Sequence, residues 1–292
     1  MKFARSITVL VITIVVLSAL AASYGVFAGG GPGSYQFESL RSGEVTIYGE
    51  GLYKYESLNL GPQARGQDVV TLFLWIPLLL ISLRFALKHS LKGKLMLTGT
   101  IGYFLYTYMM YTAIQFNEMF IVYIALMACS LFAFILSFMA LEVPEQKTAF
   151  GGRIPVKILA IFQVFSAFGL AFRWLSDLLP ALLTGSVPEQ LQHYSSIPVY
   201  SMDLGLAVPA FILAAVLILK RTTWGYVLTA VLLVKAVTMW TALIAMTVAA
   251  AMQGVEMGAG DIVMAPVFNV ISIVLLVLVL KNIQEPLKSR KR

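Results

Sequence analysis

Lys235 places an ammonium group inside a long apolar stretch of this chain. It lies ten residues past Gly225, where that stretch begins, and at about 1.5 Å per residue this is roughly 15 Å into a helix. A bilayer core is ~30 Å thick, so a lysine at this depth cannot easily reach water. Lys235 must face a bundle interior, with Thr238 on the same helical face. The position predicts either a substrate-anion or proton site, or a buried ion pair that fixes helix register.

A second pair of opposite charges, Arg173 and Asp177, is four residues apart and therefore shares one face of a helix. Gln163 and Ser166 continue that face, which predicts a polar stripe from mid-membrane to one surface. The stripe could line a pathway. The alternative is an intrahelical salt bridge at the membrane interface, beside Trp174.

Tyrosines follow one another on a third apolar stretch at helical spacing. The face contains Phe104, Tyr108, Tyr111, Gln115 and Glu118, at steps of four, three, four and three residues. Tyrosine hydroxyls inside a membrane need hydrogen-bond partners. The face predicts either an aromatic-lined cavity for a lipid-like or small organic ligand, or a packed aromatic interface.

Two aspartates, Asp68 and Asp203, stand where the second and sixth apolar stretches begin. Negative charge at that point complements a helix N-terminus and can cap it. The alternative is a symmetric gate formed by the two carboxylates.

Eight apolar stretches must position these residues. The chain has 292 residues, of which 59% are hydrophobic and 12% charged, and each bilayer crossing needs about 20 apolar residues. The predicted fold is an all-α membrane protein, one integral membrane domain over 1–292. The predicted spans are 7–28, 68–87, 95–116, 119–141, 157–180, 204–219, 225–247 and 263–280. The basic start and the small residues at 18–22 also fit a signal peptide, whose cleavage would leave seven spans.

The charges give the bundle an orientation. Sixteen of the 21 Lys and Arg fall at one set of segment ends, and most acids fall at the other. The positive-inside rule then places both termini in the cytoplasm, with the basic tail 281–292 near anionic lipid heads. Because the net charge of +7 is distributed in this way, it indicates the lipid bilayer as partner and no nucleic acid.

Residues 29–67 form the one sizeable connection and are predicted to be extracytoplasmic, before a helical bundle over 68–280. Within them, 45–48 and 52–55 flank Gly49-Glu50-Gly51 and predict a small β-hairpin.

Spans 2 and 6 also share a pattern. Each has an aspartate at its start, a proline (Pro77, Pro209), a basic end, and then a glycine (Gly93, Gly225) that opens the next span. The pattern fits a parallel 4+4 duplication. The alternative is that membrane helices of one direction commonly begin with an acid and end with a base.

Several kinds of chemistry are excluded by residue type. One cysteine and two histidines on opposite sides allow no intrachain disulfide and no shared histidine metal site. No Walker A loop, GxSxG or HExxH occurs. We therefore expect no cofactor and no metal, and the pattern disfavours an enzyme.

The stretches Ala64–Leu72, Gly102–Tyr108 and Trp224–Tyr226 resemble a group of uncharacterised prokaryotic polytopic membrane proteins, over most of spans 2 to 7. The resemblance implies the cytoplasmic membrane of a prokaryote. It implies no activity.

The first functional hypothesis is binding or transport of a small solute or amphiphile. Lys235 would be the central charge, Arg173 would orient an anionic group, and Asp177 and Glu118 would shape the outer mouth. The second is a non-catalytic sensor, assembly factor or subunit that uses the hairpin and basic tail to contact a protein partner. An intramembrane lipid enzyme is the weakest hypothesis, because no nucleophile–base pair is visible. The sequence indicates no oligomeric state.

Overall fold

A computed structural model describes residues 1–114, 116–141, 149–150 and 153–285. Gln115 and the basic tail at 288–292 lie outside the described residues. Eight long helices form the bundle: α1 (Ala4–Phe27), α2 (Leu60–Leu87), α3 (Leu91–Ile114), α4 (Phe120–Met139), α5 (Val156–Thr184), α6 (Pro198–Leu219), α7 (Thr223–Met252) and α8 (Ala259–Asn282). Two strands, β1 (Tyr35–Ser39) and β2 (Gly43–Ile47), pair antiparallel.

Consecutive helices run in opposite directions, so the bundle has two distinct ends. The hairpin end contains β1, β2 and the loop between α5 and α6, which meet where the Ser39 hydroxyl donates to the Gln192 carbonyl at 3.3 Å. The basic end contains the N-terminus, whose amino nitrogen lies 3.1 Å from Nδ1 of His89. There Glu285 accepts the backbone N–H of Leu91 at 2.8 Å and so caps the start of α3.

The eight helices pack as two sets of four. In the first half, α1 packs on α2 and α4, and α3 packs on the same two helices. In the second half, α6 packs on α5 and α7, and α8 packs on α7. The halves join where α7 packs on α2 and α3. Helices α3 and α7 are therefore central, and side chains on them reach both halves.

Seven of the eight helices are long and apolar enough to cross a membrane, by length and composition. The eighth, α3, packs against α2, α4 and α7 and has most of its residues buried. It faces protein on several sides, so it needs fewer apolar residues. Elsewhere large apolar side chains point outward, as on α5, where Phe168 and Phe172 are 69% and 76% exposed. Such a surface is suited to lipid and suggests a membrane protein.

The two helices that contain Pro77 and Pro209 share a local irregularity. A five-residue π-helical segment precedes each proline, at Thr71–Trp75 in α2 and Asp203–Ala207 in α6. A proline ring clashes with the carbonyl four residues earlier and cannot donate to it. A widened turn relieves that clash, and the widened turn leaves Thr71 and Asp203 at equivalent positions, six residues before each proline.

The turns that follow α2 and α6 also match. His89 and Arg221 each have positive φ, 66° and 52°, and each lies twelve residues after its proline. The next hydroxyl caps the following helix: Ser90 accepts from Gly93 N at 3.1 Å, and Thr222 accepts from Gly225 N at 3.0 Å. A Cβ on either glycine would meet the backbone of the preceding helix within 2.6 Å, so only glycine permits this close turn.

Two sequence expectations are wrong in position. Helix α2 begins at Leu60 and α6 at Pro198, so Asp68 and Asp203 lie inside helices and cap neither N-terminus. The hairpin pairs Tyr35–Ser39 with Gly43–Ile47. Gly49-Glu50-Gly51 is not its turn, because 52–55 does not return as a strand; Gly51–Tyr53 forms a 3₁₀ turn.

Candidate functional site

Asp203 is the centre of a polar cluster inside the second half. Its side chain is 6% exposed. It accepts two hydrogen bonds, from the Tyr106 hydroxyl at 2.7 Å and from Trp174 Nε1 at 2.8 Å. Tyr106 belongs to α3 of the first half and Trp174 to α5, so a single carboxyl group joins three helices.

Lys235 of α7 contacts the same tyrosine from its ring face. Its Nζ lies 4.0 Å from the centroid of the Tyr106 ring, an arrangement in which a cation is attracted by the ring. Within the described residues, Lys235 forms no ion pair closer than 4 Å. Lys235 and Asp203 therefore contact the same tyrosine, Lys235 at its ring face and Asp203 at its hydroxyl. We call Tyr106, Trp174, Asp203 and Lys235 the inter-half cluster.

Arg173 and Asp177 extend the inter-half cluster towards the hairpin end. The guanidinium carbon of Arg173 lies 4.8 Å from the centroid of the Trp174 ring. Asp177 instead accepts a hydrogen bond from the Tyr200 hydroxyl, and the Tyr200 ring packs edge-on against Trp174 at 5.2 Å. The predicted intrahelical salt bridge is thus absent from the described structure, because each charge has an aromatic partner of its own.

Thr238 supports Lys235 through the backbone. Its hydroxyl donates to the Lys235 carbonyl at 2.8 Å, and the side chain is fully buried. Because its hydroxyl donates to the backbone of its own helix, Thr238 acts as a packing residue beside the cluster.

Asp68 is the centre of a second group of side chains, which we call the tyrosine cluster: Tyr53, Asp68, Tyr108, Tyr111 and Tyr123. The Asp68 side chain is 3% exposed. It accepts hydrogen bonds from the Tyr53 hydroxyl and, at 3.3 Å, from the Tyr111 hydroxyl. Burial, and then the nearby Asp68 carboxyl group, raises the pKa of Tyr53 well above its usual value. Its phenol therefore stays protonated and can donate.

The tyrosine cluster is a packed interface. The ring centroids of Tyr108 and Tyr123 are 6.0 Å apart, and those of Tyr111 and Tyr123 are 5.1 Å apart. A Cβ on Gly25 of α1 would lie 1.8 Å from a carboxylate oxygen of Asp68. Glycine at this position lets α1 pass directly over the acid. Of the two alternatives for Tyr108 and Tyr111, the structure has the packed aromatic interface.

Glu118 belongs to neither cluster. It lies between α3 and α4, where the Lys54 ammonium group donates to it at 2.6 Å in an exposed ion pair. The hydrogen bond from Lys54 lowers the pKa of Glu118 below its usual value. The face predicted from Phe104 to Glu118 therefore splits: its tyrosines turn inward and its acid faces the surface.

A pocket of about 410 Å³ lies at the hairpin end, between the end of α1, the glycine-rich segment at 29–33 and the start of α2. Tyr53 lines this pocket and also donates to Asp68. The tyrosine cluster is thus directly beneath the pocket.

The chief contributors that the sequence did not single out are aromatic. Tyr53 and Trp174 each donate a hydrogen bond to a buried acid, and Tyr200 donates one to the half-buried Asp177. The available signal was chemical: a carboxyl group inside a bundle needs donors, and Tyr and Trp are the residues that carry both an apolar ring and a donor. Which aromatic residue meets which acid depends on helix packing.

Within the described part of the chain, no group of three or more His, Cys, Asp or Glu side chains could hold a metal ion. The chain matches no protein-family model, no curated protein and no solved structure.

Proposed function

We propose that this chain is a multi-pass protein of the prokaryotic cytoplasmic membrane, with the hairpin end outside the cell and both termini in the cytoplasm. The exposed apolar side chains around the bundle support its location in a membrane. The basic residues at the opposite end, among them Lys88, Lys92, Lys220 and Arg221, support the orientation.

An impermeant maleimide tests this orientation in intact cells. With Cys129 replaced by alanine, Arg41→Cys in the exposed hairpin turn should be labelled from outside, whereas Lys92→Cys at the basic end should be labelled only after lysis. The reverse pattern would invert the topology.

We also propose that the two halves arose by duplication. The π-helical segments, the prolines, the left-handed residues and the capping hydroxyls recur at equal spacing in α2–α3 and α6–α7. One ancestral helix pair explains all four coincidences together, while the tendency of helices to start acidic and end basic explains none of them.

The function that the geometry supports best is binding or transport of a small solute or amphiphile at the junction of the halves. The observation that carries this proposal is the inter-half cluster, in which Lys235 of the second half rests on Tyr106 of the first, and Tyr106 in turn bonds Asp203. Charges inside a membrane bundle are costly to keep and commonly mark pathways. A contact of this kind can be exchanged for a ligand contact when the halves move.

The helices that carry the cluster could accommodate such movement. Asp203 begins a π-helical segment, a feature frequent at functional sites. Helices α3 and α7 meet across the junction, and rocking of one repeat against the other is the usual form of alternating access in duplicated transporters.

A thermal-shift screen of the purified protein tests the proposal against lipids, organic anions, amino acids, sugars and cations. A ligand of the folded state raises the melting temperature by mass action. We expect a saturable shift that disappears in Lys235→Met and persists in Lys281→Met, a matched substitution at the end of α8.

Three outcomes would count against the proposal. A shift that persists in Lys235→Met would remove Lys235 from the site. Failure of Lys235→Met to fold would favour a role in helix register. No shift with any compound would favour a component that acts through a protein partner, which co-purification would then identify.

A further inference from the structure

The pocket at the hairpin end contains a buried hydroxyl that has no hydrogen bond of normal geometry among the described residues. Tyr48 follows β2, lines the pocket and is only 3% exposed. Its hydroxyl oxygen is buried and has no hydrogen-bond partner in the described part of the chain. Buried hydroxyls in folded proteins nearly always have a partner, so this one indicates a missing ligand or solvent group.

Two opposite charges line the same pocket, Arg65 of α2 and Glu50 of the loop after β2. Arg65 is anchored from behind, because its Nε donates to the Val26 carbonyl at 3.1 Å. Among the described residues, Glu50 forms no ion pair within 4 Å. The cation and the acid therefore share a pocket without neutralising each other.

Both charges act on the Tyr48 hydroxyl. Burial raises the pKa of Tyr48, Arg65 opposes that rise, and Glu50 adds to it. Because all three groups also line one pocket, they can contact one small ligand together. The remaining wall is largely backbone from the glycine-rich segment at 29–33 and from Gly51. A Cβ on Gly31 would come within 2.2 Å of the Gly49 carbonyl oxygen, so this wall depends on glycine.

We propose that this pocket binds a small zwitterion, with an anionic oxygen group on Arg65, a protonated amine on Glu50, and a hydrogen bond to the Tyr48 hydroxyl. A simple anion would leave Glu50 unpaired and would meet its repulsion. A simple cation would meet the same difficulty at Arg65. A volume of about 410 Å³ suits a molecule of amino-acid or dipeptide size, within the usual range for small-molecule sites.

The same chemistry occurs in a free amino acid and in the headgroup of an ethanolamine phospholipid. The two sources differ in whether an acyl chain follows the zwitterion. Two soluble probes distinguish these sources, one a free amino acid and the other a phospholipid headgroup without acyl chains. The site is also independent of the proposed transport role, because neither Lys235 nor Asp203 lines the pocket.

Isothermal titration of the purified full chain in detergent tests the proposal. The probes are L-alanine, glycerophosphoethanolamine, propionate and ethylamine. We expect saturable binding of one or both zwitterions, with propionate and ethylamine at least about tenfold weaker, since each leaves one charge in the pocket unpaired. Preference for alanine would assign the site to a free solute, and preference for glycerophosphoethanolamine would assign it to the lipid headgroup.

Substitutions then identify the pocket. Glu50→Gln and Arg65→Gln should each weaken the zwitterion about tenfold or more, and Tyr48→Phe should weaken it several-fold. Glu44→Gln and Arg41→Gln, on the exposed hairpin, are the matched controls and should not change the affinity. Lys235→Met should retain binding, so failure of the transport proposal and failure of this one are separable.

Equal affinity in Glu50→Gln and Glu44→Gln would overturn the proposal, as would equal affinity for zwitterions and singly charged probes, or no binding of any probe. Arg65 also holds the end of α1, and its substitution could disturb folding. Glu50 is exposed and has no such role, so Glu50→Gln decides the outcome in that case.

Discussion

The two halves hold different chemistry at equivalent positions. Six residues before its proline and 26 residues after it, the first half has Thr71 and Tyr103, and the second half has Asp203 and Lys235. The Thr71 and Tyr103 hydroxyls are 2.7 Å apart. Among the described residues, Asp203 and Lys235 form no ion pair within 4 Å; both contact Tyr106 of the first half, Asp203 at its hydroxyl and Lys235 at its ring face. The first half thus has a direct contact between two hydroxyls where the second half has two ionisable groups linked through a tyrosine.

This difference identifies the contact that would be altered if the two halves moved. Two buried hydroxyls that hydrogen-bond each other need no partner from the other half of the bundle. Asp203 and Lys235, by contrast, both depend on a tyrosine from the other half. If the halves move, the charged pair is altered and the neutral pair is not.

The largest expected effect is loss of the buried acid. Asp203→Ala should destabilise the protein by about 3–5 kcal/mol, because it leaves the Tyr106 hydroxyl and the Trp174 N–H without their shared acceptor inside the bundle. Thr71→Ala at the equivalent position should lose about 1–2 kcal/mol, the effect of one unpaired hydroxyl. Denaturant unfolding of both variants in one detergent makes the comparison. Equal losses would mean that the charged pair has no special role.

The bridging role of Tyr106 should appear as two separate losses. Tyr106→Phe removes the hydroxyl that donates a hydrogen bond to Asp203. It should lower the free energy of unfolding by about 1–2 kcal/mol. Tyr106→Leu also removes the ring beneath Lys235 and should lose a further ~1–2 kcal/mol. The same unfolding assay measures both. If leucine and phenylalanine behave alike, the ring does not hold the lysine.

A third buried acid, Glu56, joins the hairpin segment to the loop before α6, where Tyr194 donates to it at 2.5 Å. Burial raises the pKa of Glu56 to about 7, although the bond from Tyr194 opposes the rise. The folded state therefore holds this proton more tightly than the unfolded state. The stabilisation of the folded state by protonated Glu56 is complete below pH 4.5, the ordinary pKa of the group. It is lost as the pH rises through about 7.

We accordingly expect the wild type to lose about 3 kcal/mol of stability across that window. Glu56→Gln, which cannot ionise, should flatten the profile. Melting temperatures from pH 4 to 8 provide the measurement. An unchanged slope in Glu56→Gln would assign the pH dependence to other groups.

The smallest effect belongs to the exposed pair Lys54 and Glu118. Surface ion pairs are screened by water and salt, so Lys54→Met should leave the melting temperature nearly unchanged. A clear fall in melting temperature would show that this ion pair anchors the hairpin segment. The exposed pair and the inter-half cluster would then differ less in their contribution to stability.

Particular residues show how far the sequence could be interpreted. The depth of Lys235 correctly predicted that it faces the bundle interior, since a charge at that depth cannot face lipid. The pattern shared by spans 2 and 6 aligned Asp68 with Asp203, whereas the structure places Thr71 and Asp203 at equivalent positions before the two prolines. The role of Asp68 was wrong because α2 begins at Leu60, in a stretch whose glycine and proline resemble a loop.

The hairpin shows a different limit. Strand β2 was expected near its true position, but its partner comes before it in the chain, at Tyr35–Ser39. A glycine pair around Glu50 resembles a turn in sequence. In the folded protein that segment packs against the end of α1, where the Gly51 N–H donates to the Gly30 carbonyl at 2.7 Å.

The sequence by itself determined the long apolar helices and the separation of charges between the two ends, because both follow from the length and polarity of continuous segments. Only the tertiary structure decided which polar groups meet. It joined Lys235, Tyr106 and Asp203 from three helices. It also surrounded Asp68 with tyrosines that donate hydrogen bonds to it, and left Glu118 at the surface. Such contacts depend on the rotation and depth of each helix against its neighbours, which residue spacing along one helix does not specify.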